Sequence, residues 1–433
     1  MSSDPQRRPP RLAVIVSRFP KVSETFQLRE ILTLERLGVP IELFAITHHQ
    51  EGEVQPDAVD LDRRAHYLPR LNLEIVRAHL TWLRRDPKAL LECWTWALRE
   101  FRHSPDFLLR SLVIIPLAAA WALRMERLGI EHVHAHYATY PTHAAWVIKR
   151  LVGIPYSFTG HAHDLRWNTD GLAAKIADAE YFVTCTAFAM EDLRELFGDV
   201  VTDKGVVSHH GVQVDVFTPQ PPPPEDADRP FRMVCVASFE ECKGHRYLLD
   251  AVKLLRDRGV DLHLDLVGGN LSNGFDYREI MVRHAEELGI SDVVTFWGQQ
   301  TSVEVRGHLA AADVGVLACC KTASGSMDGL PNFLTECFAT ARPVVTTDLP
   351  GPQELVTHEV SGLVARTRDA ASLADAIDRL RLDPELRAKM GTAGRERVEA
   401  EHDLLRNTER LYDLLVERVG RPLDDSSGTD GGS

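Results

Sequence analysis

The sequence predicts an α/β protein built of two Rossmann-like, doubly wound domains facing each other across a cleft. Short apolar runs alternate with amphipathic helical stretches along most of the chain, the pattern of parallel sheets covered by helices. That alternation occurs twice, on either side of QPPPPE at 220–225, where consecutive prolines favour a stiff extended linker. At 433 residues the chain has room for two or three domains and a sizeable core.

The ends, 1–10 and 424–433, are polar and rich in Gly, Ser or Pro, and are expected to be disordered. A first domain over 11–218 opens with the apolar strand LAVIVSR at 12–18, the loop FPKVSET, a helix at 26–37 and a strand at 41–47. The loop is a candidate for shaping the acceptor side, or simply a strand-to-helix turn. Residues 71–127 read as helical, broken at Asp86-Pro87 and Ser104-Pro105. Their Trp82, Trp94, Trp96 and Trp121 indicate helix packing, with an acceptor- or membrane-facing surface as the other reading. HVHAHY (132–137) is a strand, 141–151 a helix and 155–159 a strand. Gly160-His161-Ala162-His163-Asp164 follows, at the strand end where open α/β sheets bind ligands. Strands at 181–186 and 205–209 complete the domain.

After a linker at 219–229, a second domain over 230–395 begins with a strand at 231–237 and a turn ending in Lys243-Gly244. A helix at 245–258 and strands at 262–267, 293–297 and 313–318 follow. Helices at 370–382 and 384–418 close the fold, the segment 396–420 being expected to pack back toward the first domain. No repeat of solenoid period is present.

Composition narrows the function. A net charge of −14 argues against a general nucleic-acid binder. Seven scattered cysteines, several inside apolar runs, read as reduced thiols of a cytoplasmic protein, and no CxxC pair suggests structural zinc. His132, His134, His136 and His143 raise a metal alternative, but no HExxH or matching carboxylate spacing accompanies them, so no metal is expected. The N-terminus shows no apolar signal segment. The most apolar stretch, 107–123, contains Arg110 and Pro116 and falls short of a membrane span. The expected location is cytoplasmic, with contact at the inner face of the membrane left open.

The stretch SMDGLPNFLTECFATARPVVTTDLPGPQE (326–354) concentrates the chemistry. Asp328 and Gly329 form a turn, Pro331 suits the first helical position, and 332–340 reads as a short helix. Residues 344–347 read as a buried strand and 349–352 as a rigid loop. A helix N-terminus fed by a Gly turn is an anion site. Asp328 and Glu336 bracket it, which suggests a ligand with both phosphate and hydroxyls, such as a nucleotide sugar.

At these residues the chain resembles the retaining GT-B glycosyltransferases of the large family four, of the exopolysaccharide-building, group 1 type. Asp328 through Glu336 is similar to the family's acidic-x7-Glu motif. FEECKGHRYLLDA (239–251) resembles its donor-phosphate segment, HHGVQVDVFTP (209–219) its domain-joining segment with Gln213 at the Asp position, and FTGHAHDL (158–165) its histidine loop. RFPKVSETFQLREI (18–31) is similar to the opening of members that build bacterial exopolysaccharides. The resemblance implies a hexose-type sugar moved from a nucleotide diphosphate sugar to a hydroxyl of a saccharide, lipid-linked saccharide or small-molecule glycoside. It implies no cofactor beyond that co-substrate. It assigns Asp328 and His161 to the donor sugar, Lys243 to its diphosphate and Glu336 to the nucleotide ribose, with Gly329, Leu330, Pro331 and Asn332 lining the pocket. The family's usual Arg five residues before the Lys is Ser238 here, and a hydroxyl does not replace a guanidinium on phosphate. That departure motivates a non-catalytic nucleotide-sugar-binding protein as a rival. A nucleotide-sugar 2-epimerase, converting donor without acceptor, is another.

Overall fold

The computed structural model describes residues 7–21, 25–48, 56–69, 72–161, 163–166, 169–221, 229–270, 276–323, 325 and 327–422. The sequence-predicted tail at 424–433, most of the proline run and residues 22–24 of the FPKVSET loop lie outside them. The chain divides into two compact units. Unit 1 comprises Met1–Cys185, Ala189–Ser208 and Thr408–Ser433; unit 2 comprises Thr186–Phe188 and His209–Asn407.

Unit 1 is built on a six-stranded sheet of β1 (Leu12–Phe19), β2 (Ile41–His48), β3 (His132–His136), β4 (Tyr156–Gly160), β5 (Phe182–Thr184) and β6 (Gly205–Val207), paired in parallel in the order β2-β1-β3-β4-β5-β6. Side chains alternate faces along a strand, so each half of β1 builds a different core. Leu12, Val14 and Val16 pack with Leu28, Ile31 and Leu34 of helix α1 (Thr25–Arg36) and with Leu415 of the last helix, Leu404–Val419. Ala13 and Ile15 face the other way, into a cluster that includes Trp82, Trp96, Trp121 and Trp146. That cluster is covered by α2 (Leu73–Arg85), α3 (Pro87–Glu100) and α4 (Pro105–Leu128).

The breaks between these helices follow their capping chemistry. Asn72 accepts from Glu74 N at 2.9 Å, and Asp86 accepts from Ala89 N at 3.0 Å with Pro87 next in the chain. Both side chains satisfy amides that have no partner within the helix. The helix α4 continues through Pro116 for 24 residues, longer than its apolar composition suggested, and has the length and hydropathy of a membrane span. Its Ile115, Ala118, Trp121 and Ala122 are nonetheless buried, and Ala119 O accepts from Trp82 Nε1 at 2.9 Å. These contacts make it the core helix of unit 1.

The expectation of disorder over 1–10 fails at its C-terminal end. Arg7–Arg8 pairs antiparallel with Arg421–Pro422, and the Arg8 guanidinium makes a two-pronged bridge to Glu131 at 2.8 and 2.9 Å. Bidentate pairing of this kind holds a polar segment that composition alone marks as loose.

Unit 2 carries a second parallel six-stranded sheet, of β7 (Phe231–Val236), β8 (Leu262–Val267), β9 (Val294–Trp297), β10 (Val314–Val316), β11 (Val344–Thr347) and β12 (Gly362–Ala365). Their order is β9-β8-β7-β10-β11-β12. The strand after β7 lies on one side of it and β10 on the other, so the topology switches between β7 and β10. Ligand crevices of open α/β sheets form at such points, outside the carboxyl ends of the strands.

One expectation in unit 2 is corrected. Residues 349–352 are not a loop: Pro350–Leu355 is a short helix, because prolines in a first turn forgo amides that have no intrahelical partner anyway. The helical stretch expected over 384–418 consists of two helices, Pro384–Glu401 and Leu404–Val419. Val212 pairs into the break, its N–H donating to His402 O at 2.8 Å and its carbonyl accepting from Leu404 N at 3.0 Å. Gly211 permits this approach, since a Cβ there would lie 2.3 Å from Leu404 Cα.

Candidate active site

The candidate site in unit 2 is assembled at the carboxyl ends of its strands. Residues 317–331 run from β10 to the helix α5 (Asn332–Ala339), and this segment carries Asp328. The Asp328 carboxylate forms an ion pair with the Lys243 ammonium, both side chains less than a fifth exposed. Burial alone lowers the ammonium's pKa, but the adjacent Asp328 charge outweighs it and raises the value above 10.5. Lys243 is therefore a fixed cation at any ordinary pH.

A glycine sets the position of that lysine. Gly244 has φ 68°, and a Cβ there would lie 1.7 Å from Ala318 O. Only glycine allows the turn after Lys243 to press against the strand end that leads toward Asp328. Cys320 N donates to Cys242 O at 2.8 Å across the same seam. Cys319 Sγ lies 3.8 Å from an Asp328 carboxylate oxygen. Burial holds the Cys319 thiol well above its usual value and pushes Cys242 up to about 12, so both stay neutral thiols.

The helix α5 begins at Asn332 as expected, with Pro331 at the N-cap rather than at the first helical position and no side chain capping it. Asp328 does not cap it either; its carboxylate goes to Lys243. The helix lies close against Pro384–Glu401, where a Cβ on Gly394 would sit 2.5 Å from the Phe338 ring. Glu336 is buried at 9 % exposure. Leu330 is buried and Asn332 partly buried. The Ser238 hydroxyl donates to Glu240 Oε1, so a carboxylate engages the residue that stands at the family's Arg position.

In unit 1, His161 follows β4 as expected, and the structure surrounds it with residues that sequence reasoning left unassigned. Its backbone N–H donates to Asp164 Oδ1 at 2.8 Å, while Asp164 Oδ2 accepts from Ala138 N at 2.7 Å. One carboxylate thereby ties together the segments after β3 and β4. Its imidazole lies 3.4 Å from His136 Nδ1 and 3.4 Å from Cys185 Sγ. Lys175, fully buried, donates to Ala138 O at 2.7 Å, and burial brings its pKa down to about 7. The alternation of His132, His134 and His136 along one strand was the signal that they share a face.

Glu30, His134 and His136 hold ligand-type atoms within 4.8 Å of one another. Both His134 nitrogens already meet hydroxyls, Ser157 Oγ at 2.9 Å and Thr159 Oγ1 at 3.0 Å. Burial brings the His134 pKa down to about 4, so the ring is neutral and satisfied as a core side chain. Glu30, from α1, approaches His136 at 3.5 Å, and burial raises its pKa from 4.5 to about 7. Between those values the folded chain holds a proton that the unfolded chain has released. Stability therefore falls as pH rises from about 4.5 through 7. Glu30→Gln is expected to be more stable than the parent at pH 8 by about 3 kcal/mol at most. The difference should fade toward pH 5, and denaturant titration at the two pH values measures it.

Residues 218–397 match the family described as Glycosyl transferases group 1. Among curated proteins, the chain is 30% identical over 254 residues to a GDP-mannose-dependent alpha-(1-6)-phosphatidylinositol monomannoside mannosyltransferase of Mycobacterium tuberculosis, a match spanning 56% of this chain and 64% of that protein. It is 26% identical over 420 residues to the putative colanic acid biosynthesis glycosyltransferase WcaL of Escherichia coli, covering 91% of this chain and 96% of that one. Its fold matches the Anabaena protein HepE, crystallised in complex with UDP-glucose, with TM-score 0.70, 14% identity and 94% and 99% of the two chains covered. A Rickettsia africae glycosyltransferase matches with TM-score 0.67 and 16% identity over 94% and 98%. The two parallel-sheet units are those of a GT-B fold, and Lys243, Asp328 and Glu336 all fall inside the matched group 1 domain.

Proposed function

We propose that this chain, which carries a group 1 glycosyltransferase domain at 218–397, transfers a hexose-type sugar from a nucleotide diphosphate sugar with retention of anomeric configuration. The observation that carries the reading is the Lys243–Asp328 pair beside the uncapped start of α5, with Glu336 on the same helix. Breaking the sugar–phosphate bond leaves negative charge on the diphosphate. The fixed Lys243 cation and the helix-terminal N–H groups stabilise that charge without needing to reorganise. Asp328 offers an anion to the positive charge developing at the anomeric carbon. Glu336 serves the ribose hydroxyls, and His161 a hydroxyl of the donor sugar. The acceptor is a hydroxyl of a saccharide, lipid-linked saccharide or small-molecule glycoside.

The similarity to enzymes named for phosphatidylinositol mannoside and colanic acid synthesis supports a saccharide or lipid-linked acceptor. The mechanism needs no metal, because Lys243 occupies the role a cation would take. The test is a screen of nucleotide sugars and acceptors for nucleoside diphosphate release. Release should require acceptor, and the product's anomeric proton, read by NMR, should keep the donor's configuration. Donor conversion without acceptor would replace transfer by epimerisation.

A further inference from the structure

The helices that cover unit 1 carry apolar side chains on two faces, and only one face is used by the core. On α2, Ile75, Ala78 and Trp82 are buried. On its far side Leu73, Val76, Leu80 and Leu83 form a second stripe at helical spacing, between 47% and 71% exposed. Leu91 and Leu98, one heptad apart on α3, are 63% and 56% exposed, and two more leucines are exposed near the start of α4. Eight of the eighteen exposed large apolar side chains among the described residues thus fall within the forty residues 73–112. Isolated exposed leucines are ordinary; a helical stripe of them is not.

The charges around the stripe narrow what covers it. At 100° per residue, Arg77 and Arg84 project beside the α2 stripe and Lys88 beside the α3 pair, where Arg99 pairs with Glu100 and Glu92 with Arg150. Arg77, Arg84 and Lys88 are exposed. No carboxylate pairs with Arg77, Arg84 or Lys88 among the described residues. The segment 73–112 holds seven Lys or Arg against five Asp or Glu, a local +2 on a chain of −14. A second copy presenting the same face would bring like charges together. An anionic lipid surface would not: its phosphates meet the arginines while the leucines enter the boundary with the acyl chains.

We propose that α2 and α3 form a docking surface for an anionic phospholipid bilayer, on which the protein lies without crossing it. This surface belongs to unit 1 alone and is independent of the sugar-transfer reading, so either can fail without the other.

The experiment is co-sedimentation of the full chain with sucrose-loaded vesicles. One set is equal parts phosphatidylglycerol and phosphatidylcholine, the other pure phosphatidylcholine. Partitioning onto the anionic vesicles is expected to be at least about tenfold stronger and to weaken as salt is raised. Arg77→Gln with Arg84→Gln should lower it by about thirtyfold, and Leu80→Ser with Leu83→Ser by at least about tenfold. These positions are exposed, so circular dichroism and Tm should match the parent. Equal binding to both vesicle types, or parental binding by both double variants, overturns the proposal. A concentration-dependent dimer dissolved by the leucine variant also overturns it, assigning the face to a second copy.

Discussion

Lys243→Ala is expected to lower kcat/KM for sugar transfer by on the order of a thousandfold, the scale seen when one preorganised charge-stabilising donor is removed from an active site. The loss follows from the position of the ammonium. It is less than a fifth exposed, is held by the Gly244 turn, and is kept charged by Asp328. Lys243→Arg is not expected to rescue activity. The larger planar fork does not reproduce the single contact that the compact ammonium makes with Asp328 in its mostly buried setting beside Cys319 and Cys242. Removing the lysine also leaves the Asp328 carboxylate without its cation in a mostly buried setting, at a stability cost of about 1–3 kcal/mol. Steady-state kinetics beside a denaturant titration separates the two effects. A variant of ordinary stability with activity within tenfold of the parent would remove Lys243 from the chemistry.

Gly351→Ala is expected to damage the same site from behind. A Cβ on Gly351 would fall 1.9 Å from Gly329 O and 3.0 Å from Asp328 O. Both atoms are backbone, so the strain cannot be relieved by turning a side chain; the segment bearing Asp328 must shift. A displacement on the scale of an ångström costs about a hundredfold in rate, and the overpacking costs about 2–3 kcal/mol of stability. Gly298→Ala is the control, since its Cβ would meet nothing within 4 Å. If both variants behave as the parent in activity and Tm, the close packing of the Pro350–Leu355 helix behind the site is not what positions Asp328.

Much of the fold was legible because local chemistry and tertiary packing agree. The alternation of β1 is written in LAVIV, and the breaks at Asp86-Pro87 and Ser104-Pro105 are helix starts whose residue types suit them. Local sequence does not decide the structure where one pattern serves two conformations. Leu-Pro-Gly-Pro fits a loop and the first turn of a helix equally well, and a burial pattern decides between them only after folding. The Pro384–Glu401 helix ends because Val212, far away in sequence, supplies backbone partners at its terminus. Within the site, Asp328, Glu336 and Lys243 each carried a readable signal, but the ion pair joins residues 85 positions apart and no spacing announces it. Asp164 was visible only as a neighbour of His161; its bond to Ala138 N turns it into the tie between two strand ends. The second apolar stripe of α2 was hidden for another reason. A helix with leucines on two faces has the same composition as one buried on both.

Sugar transfer by this chain depends above all on Asp328 and Glu336 acting on a nucleotide sugar beside Lys243. The measurement that tests it most directly is acceptor-dependent release of nucleoside diphosphate by the parent, Asp328→Ala and Glu336→Ala proteins, each shown to be folded. Release by the parent only when acceptor is present, falling at least about a hundredfold in both variants, is the predicted result. Release that survives both substitutions, or that proceeds at the same rate without acceptor, would contradict it.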